Sequence, residues 1–137
     1  MDRYLAKGFD YSASAAVEQV RGSYFAMRRD VLNAIGRWDE KNFFIWFEDI
    51  DFCRRARQAG YVVWYDAGAS CVDLVGRSFK TQPLSIKQVR LSRSMVRYFM
   101  KWHPLWQAIV LTAIRPATIV VSFLFEWFGY VSKKQVT

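Results

Sequence analysis

The chain has 137 residues, 53% of them hydrophobic and 18% aromatic, with 20 Lys and Arg against 12 Asp and Glu for a net charge of +8. That length suits one small domain with one core, and the apolar content excludes a disordered chain. Two cysteines, Cys53 and Cys71, fit neither a disulfide framework nor a paired-cysteine zinc site, so a reducing compartment is expected.

Residues 1–19 are small, polar and weakly patterned, and read as loop with a marginal helix. Residues 1–8 contain no apolar run, so no signal peptide is expected. Residues 20–28 alternate loosely around Gly22, which predicts a strand. Asp30 is a plausible N-cap for a short helix with Val31, Leu32 and Ile35 on one face, and Gly36 is its expected end.

The most informative run is 43–57, Phe-Phe-Ile-Trp-Phe-Glu-Asp-Ile-Asp-Phe-Cys-Arg-Arg-Ala-Arg. Acids placed beside Phe44, Trp46, Phe47 and Phe52 are partly desolvated, and must be shifted in pKa, paired with the arginines or used in chemistry. Residues 48–58 read as a helix stopped by Gly60, with acids in its first turn complementing the dipole. Asp51 and Arg55 sit four apart and are expected to pair as a structural couple. Asp49 and Asp51 spell Asp-x-Asp, but on a helix the two side chains diverge by about 200°, which argues against a joint metal site.

Residues 61–65 read as a buried strand, and 69–75 as a short second one. Pro83 precedes a long helix over 84–102, where Lys87, Arg90, Arg93, Arg97 and Lys101 recur every three or four positions. No acid lies between Arg77 and Lys101. Such a block suits phosphate, nucleic acid or an anionic membrane, with a solvated cationic face as the plain alternative. Residues 105–125 are strongly apolar but broken by Arg115-Pro116, and Trp102, Trp106, Trp127 and Tyr130 bracket them like interfacial anchors. A kinked pair of helices lying in or re-entering a membrane face is preferred, over a simple span and over a soluble core or partner interface.

Several segments together resemble family 2 glycosyltransferases, and rhamnosyltransferase-like enzymes of bacterial cell-surface polysaccharide assembly in particular. They are the run from Gly22 to Leu32, Ile35-Gly36-Arg37-Trp38-Asp39-Glu40, the run from Phe43 to Arg57, Ala59-Gly60-Tyr61, and, further on, the runs from Ala69 to Ser78 and from Arg93 to His103. The likeness covers about residues 21–103, flanked by an N-terminal segment over 1–20, apolar membrane-associated helices over 104–131 and a basic tail over 132–137. It implies an α/β fold, the acceptor-side part of a GT-A domain, followed by the basic helix and the apolar C-terminal helices.

The resemblance makes Asp49 the general base of an inverting transfer from a nucleotide-sugar donor to a cell-surface glycan or lipid-linked acceptor. It gives Glu48 and Trp46 to acceptor binding, and Arg77, Ser78, Arg93 and Lys101 to diphosphate. Asp73 stands where the family usually has a histidine facing the metal, so a divalent Mg²⁺ or Mn²⁺ is expected there. The sole histidine, His103, is read as interfacial or capping rather than catalytic. No nucleotide-binding half is read in residues 1–20, so the chain is expected to be inactive alone and to need a partner half. A noncatalytic membrane-docking or assembly role is the alternative. Nucleic acid is not an expected partner. The implied location is the cytoplasmic face of the bacterial inner membrane.

Overall fold

In this computed structural model, residues 8–72 and 82–134 are described. They form mixed helices with one small antiparallel sheet: β1 (Ala15–Ala16), α1 (Arg29–Ile35), α2 (Glu48–Gln58), β2 (Trp64–Tyr65), α3 (Leu84–Trp102) and α4 (Leu105–Lys134). In the sheet Ala15 faces Tyr65 and Ala16 faces Trp64.

The expected strand over 20–28 is irregular backbone. No edge is paired with it among the described residues, and the Gly22 N–H goes to the Asp49 carboxylate (3.1 Å) instead of a ladder. The alternation still places side chains, because Phe25 and Met27 pack against the cluster of Val31, Phe52 and Ala56. The strand expected over 61–65 shrinks to its last two residues, the two that find a partner. Residues 69–72 form no strand, and the remainder of that expected element lies outside the described residues.

Helix α1 starts two residues earlier than expected. Its N-cap is Arg28, and Asp30 sits in the first turn. There its carboxylate accepts from Arg28 Nε and NH2 (3.0 and 2.7 Å) rather than from backbone. Gly36 ends the helix at φ 77°, a conformation that costs a residue without Cβ least.

Helix α3 is the middle layer of the molecule. One side packs on α4, where Ser92 receives a hydrogen bond from Arg115 Nε (3.1 Å) and Glu126 Oε1 accepts from the Ser85 N–H (2.9 Å). The Glu126 contact supplies the N-terminal cap that α3 lacks from its own N-cap, Pro83. The opposite side holds the 39–47 loop and α2. Ser94 Oγ donates to Ile45 O (2.9 Å), and Arg97 NH1 donates to the carbonyls of Lys41 and Asn42 (both 3.0 Å). The Tyr98 ring lies between Phe43 and Phe47 (6.4 and 5.2 Å).

The expected pair of kinked helices over the apolar stretch is one helix running through Arg115-Pro116. Proline removes one helical N–H, yet hydroxyls bracket the gap: Thr112 Oγ1 donates to Ala108 O (2.8 Å) and Thr118 Oγ1 to Arg115 O (2.9 Å). Packing on α3 on both sides of the proline then keeps the two halves in one helix.

Candidate active site

The Glu-Asp-Ile-Asp run opens α2, and the backbone before it is strained. Trp46 (φ 60°) and Phe47 (φ 71°) are consecutive non-glycine residues in the left-handed region. Each such residue costs on the order of 1–3 kcal/mol and persists only where the surroundings enforce it. Here they do. Ile45 O is bound by Ser94, the Phe47 ring packs on Tyr98, and Phe47 O accepts from the Asp51 N–H (2.9 Å). The turn brings α2 in with its acidic first turn against the 20–22 segment.

The three acids of this turn have separate fates. Asp51 is fully buried and accepts from Arg55 Nε (2.9 Å), Lys101 Nζ (2.7 Å) and Trp102 Nε1 (2.7 Å). Arg55 extends the tie to the carbonyls of Ile35 (2.6 Å) and Arg37 (2.9 Å), so one carboxylate joins α1, α2 and α3. Asp49 is half-buried and enters no ion pair among the described residues. Among the described residues its oxygens accept only from backbone, Oδ2 from Gly22 N–H (3.1 Å) and Oδ1 from Ile50 N–H (2.8 Å). Glu48 differs again. Its Oε2 is the one buried side-chain oxygen among the described residues without a hydrogen bond. Burial raises its pKa above the ordinary glutamate range, and the neighbouring Asp49 charge adds to the rise.

Arg54, four residues before the end of α2, turns away from Asp49. It donates to Tyr98 Oη (3.3 Å) and Trp102 O (3.2 Å) and lies 4.9 Å over the Trp102 ring. His103 caps the end of α3, its N–H on Phe99 O (2.9 Å) and its ring stacked on Phe99 at 4.4 Å. Cys53, behind Asp49, is fully buried, and burial pushes its thiol up, away from reactivity.

Trp46 and Glu48 adjoin Asp49 through the strained turn, so these three residues of the sequence reading come together. Lys101 lies elsewhere, bound to Asp39 (3.2 Å) and Asp51. Arg93 is exposed on α3 beside the 41–45 loop. Asp73, Arg77 and Ser78 lie outside the described residues. Among the described residues no three His, Cys, Asp or Glu side chains gather to hold a metal.

Sequence reasoning missed two features of the site: the left-handed pair before α2, and the three-donor enclosure of Asp51 by α3. The first has no residue signal, since neither Trp nor Phe favours that conformation. The second was half visible in the Asp51–Arg55 spacing, but its α3 donors come from about fifty positions away.

A carboxylate free of cationic partners, beside a second one with an unfilled lone pair and next to aromatic side chains, is an arrangement suited to taking a proton from a bound hydroxyl. A sequence profile described as glycosyltransferase like family 2 matches residues 8–93, more than half of the chain. The chain belongs to that family. No curated protein and no solved structure matches it.

Proposed function

We propose that this chain is the acceptor side of an inverting, rhamnosyltransferase-like glycosyltransferase of the GT-A type, acting on a cell-surface glycan or lipid-linked acceptor. Asp49 is the general base. It takes the proton of an acceptor hydroxyl as that oxygen attacks the anomeric carbon of a nucleotide sugar, and the nucleoside diphosphate leaves from the opposite face. Glu48 orients the same hydroxyl group or its neighbour, and Trp46 stands beside them to pack on a sugar ring.

The observation that carries this reading is the division of labour within one helical turn. Asp51 is sealed by three donors, while Asp49 keeps its charge unpaired among the described residues and Glu48 keeps an oxygen unfilled. A structural salt-bridge network has no use for the last two, since an unfilled buried acceptor costs about 1–3 kcal/mol. A bound hydroxyl relieves that cost.

The sheet among the described residues has two strands. Donor binding is accordingly assigned to a nucleotide-binding half, supplied with the chain in the test. The chain is mixed with such a half and nucleotide-sugar turnover is measured with and without Asp49→Asn. The expected result is turnover that falls at least about a hundredfold in the variant, the usual worth of a positioned base. Turnover that survives the substitution removes Asp49 from the chemistry. No turnover in any mixture favours a noncatalytic docking role.

The same reading places the chain on the cytoplasmic face of the bacterial inner membrane. Support comes from α4, whose 105–129 segment contains an 18-residue window of mean hydropathy 2.0, with only 11% of that window buried. Both of its internal charges, Arg115 and Glu126, are spent on α3, leaving Trp106, Ile109, Val120, Phe123 and Phe128 facing outward.

A further inference from the structure

Between the 41–45 loop and α3 lies a cleft of about 260 Å³ lined by Lys41, Asn42, Phe44, Ile45, Arg90, Arg93, Ser94 and Arg97. Four of the eight lining residues are cationic and none is acidic. Arg90, Arg93 and Arg97 are spaced three and four apart, so they share one face of α3, where like charges destabilise a helix unless something negative lies among them.

The cleft is held open by contacts that do not consume its charge. Ser94 Oγ on Ile45 O, with Arg97 NH1 on the carbonyls of Lys41 and Asn42, fastens the loop to the helix. Arg90 is steadied by Gln82 Oε1 (2.9 Å) and lies 5.6 Å over the Phe44 ring. Arg93 is exposed and makes no hydrogen bond or ion pair among the described residues. Phe44 itself is 77% exposed at the lip.

We infer that this cleft binds a phosphate-class anion carried on an organic group. Guanidinium forks match phosphate oxygens two at a time, and the volume is below that of a drug-sized pocket but ample for a phosphate or diphosphate. The Phe44 ring supplies an apolar wall for the alkyl or sugar carbons to which the phosphate is esterified. The neighbouring layer argues for the height of the ligand. On the far side of α3 lies α4, and packed helices are separated by about 8–10 Å. With α4 at a bilayer surface, the cleft lies at least that distance above it, on the side of α3 away from the lipid, where a phosphate has to be raised from the surface or come from solution. The identity of the ligand as a phosphate-bearing acceptor rests on the acceptor-side reading above; the anion site itself does not.

Two variants and two probes test the site on the full chain. Calorimetric titration with inorganic pyrophosphate is expected to show one saturable site, weakened about tenfold or more by Arg93→Gln, as loss of a charge-assisted donor requires. Arg29→Gln, the same charge loss on exposed α1, is expected to leave it unchanged. Flotation on phosphatidylcholine vesicles with and without phosphatidic acid separates the sources. An Arg93-dependent gain with phosphatidic acid marks a lipid phosphate, and saturable pyrophosphate binding without that gain marks a soluble diphosphate. Equal weakening in Arg93→Gln and Arg29→Gln overturns the site, as does the absence of both saturable binding and any Arg93-dependent lipid gain. None of these readouts needs turnover, so failure of the Asp49 transfer test leaves them standing.

Discussion

At the scale of single residues, three neighbouring acids stand in three different environments, and the difference lies in what α3 brings to them. Asp51→Ala would strand Lys101, Arg55 and the Trp102 N–H, all gathered on one fully buried carboxylate. Removing one partner of a buried pair costs about 3–5 kcal/mol. Asp49→Asn gives up two backbone contacts of a half-buried group and is expected to cost under about 1 kcal/mol. Urea denaturation of the two variants checks the contrast; similar losses for both would mean that Asp49 is as structural as Asp51. The sequence carried the acids, their aromatic setting and the Asp51–Arg55 spacing. It did not carry which acid would be sealed, because Lys101 and Trp102 reach Asp51 only once α3 has docked. The same docking draws Lys101 into the protein, whereas the resemblance assigned it to diphosphate.

At the scale of elements, what was legible follows from whether the signal is local. Acids at its start and Gly60 after its end delimit α2 in the sequence itself, and the three-and-four spacing of α3 does likewise. The sheet was not legible, since β2 pairs with Ala15–Ala16, two small residues that carry no β pattern. The continuity of α4 through Pro116 is likewise a tertiary effect, imposed by the seam with α3. Ser92 sits in that seam, 8% exposed, with Oγ donating to Val89 O and accepting from Arg115. Ser92→Leu overpacks the seam and removes the Arg115 acceptor, at an expected cost of about 1–3 kcal/mol. Ser92→Ala, which loses only the hydrogen bonds, is expected to cost less. Hydrogen exchange along α4 locates the damage, and faster exchange on both sides of Pro116 is the expected pattern. Unchanged exchange in Ser92→Leu would show that α3 does not hold the two halves together.

At the scale of the whole molecule, the layering bears on how α4 would meet the membrane that the proposed function calls for. Alone, its 25-residue apolar segment is about 37 Å long, enough to cross a hydrocarbon core of about 30 Å. It is not alone. Along one side it carries α3, whose far side bears Arg90, Arg97 and Lys101 and is bonded to the polar 39–54 region. Taking α4 across would draw those charges inward at about 2.5–3.5 kcal/mol each near the centre, on the order of 10 kcal/mol together. Lying flat avoids that cost. The outward face of α4 then enters the interface while Trp106 and Trp127, near its two ends, sit at one headgroup level. Labels on single cysteines at positions 109, 120 and 128, in a Cys71→Ser background that leaves buried Cys53 in place, report the depth of each by lipid quenching. With the full chain on phosphatidylcholine–phosphatidylglycerol vesicles, all three are expected at similar, shallow depths. A label at 120 near the bilayer centre, with 109 and 128 shallow, would mean that the α3–α4 seam opens and α4 crosses. No partition into the vesicles at all would mean that another protein surface covers this face.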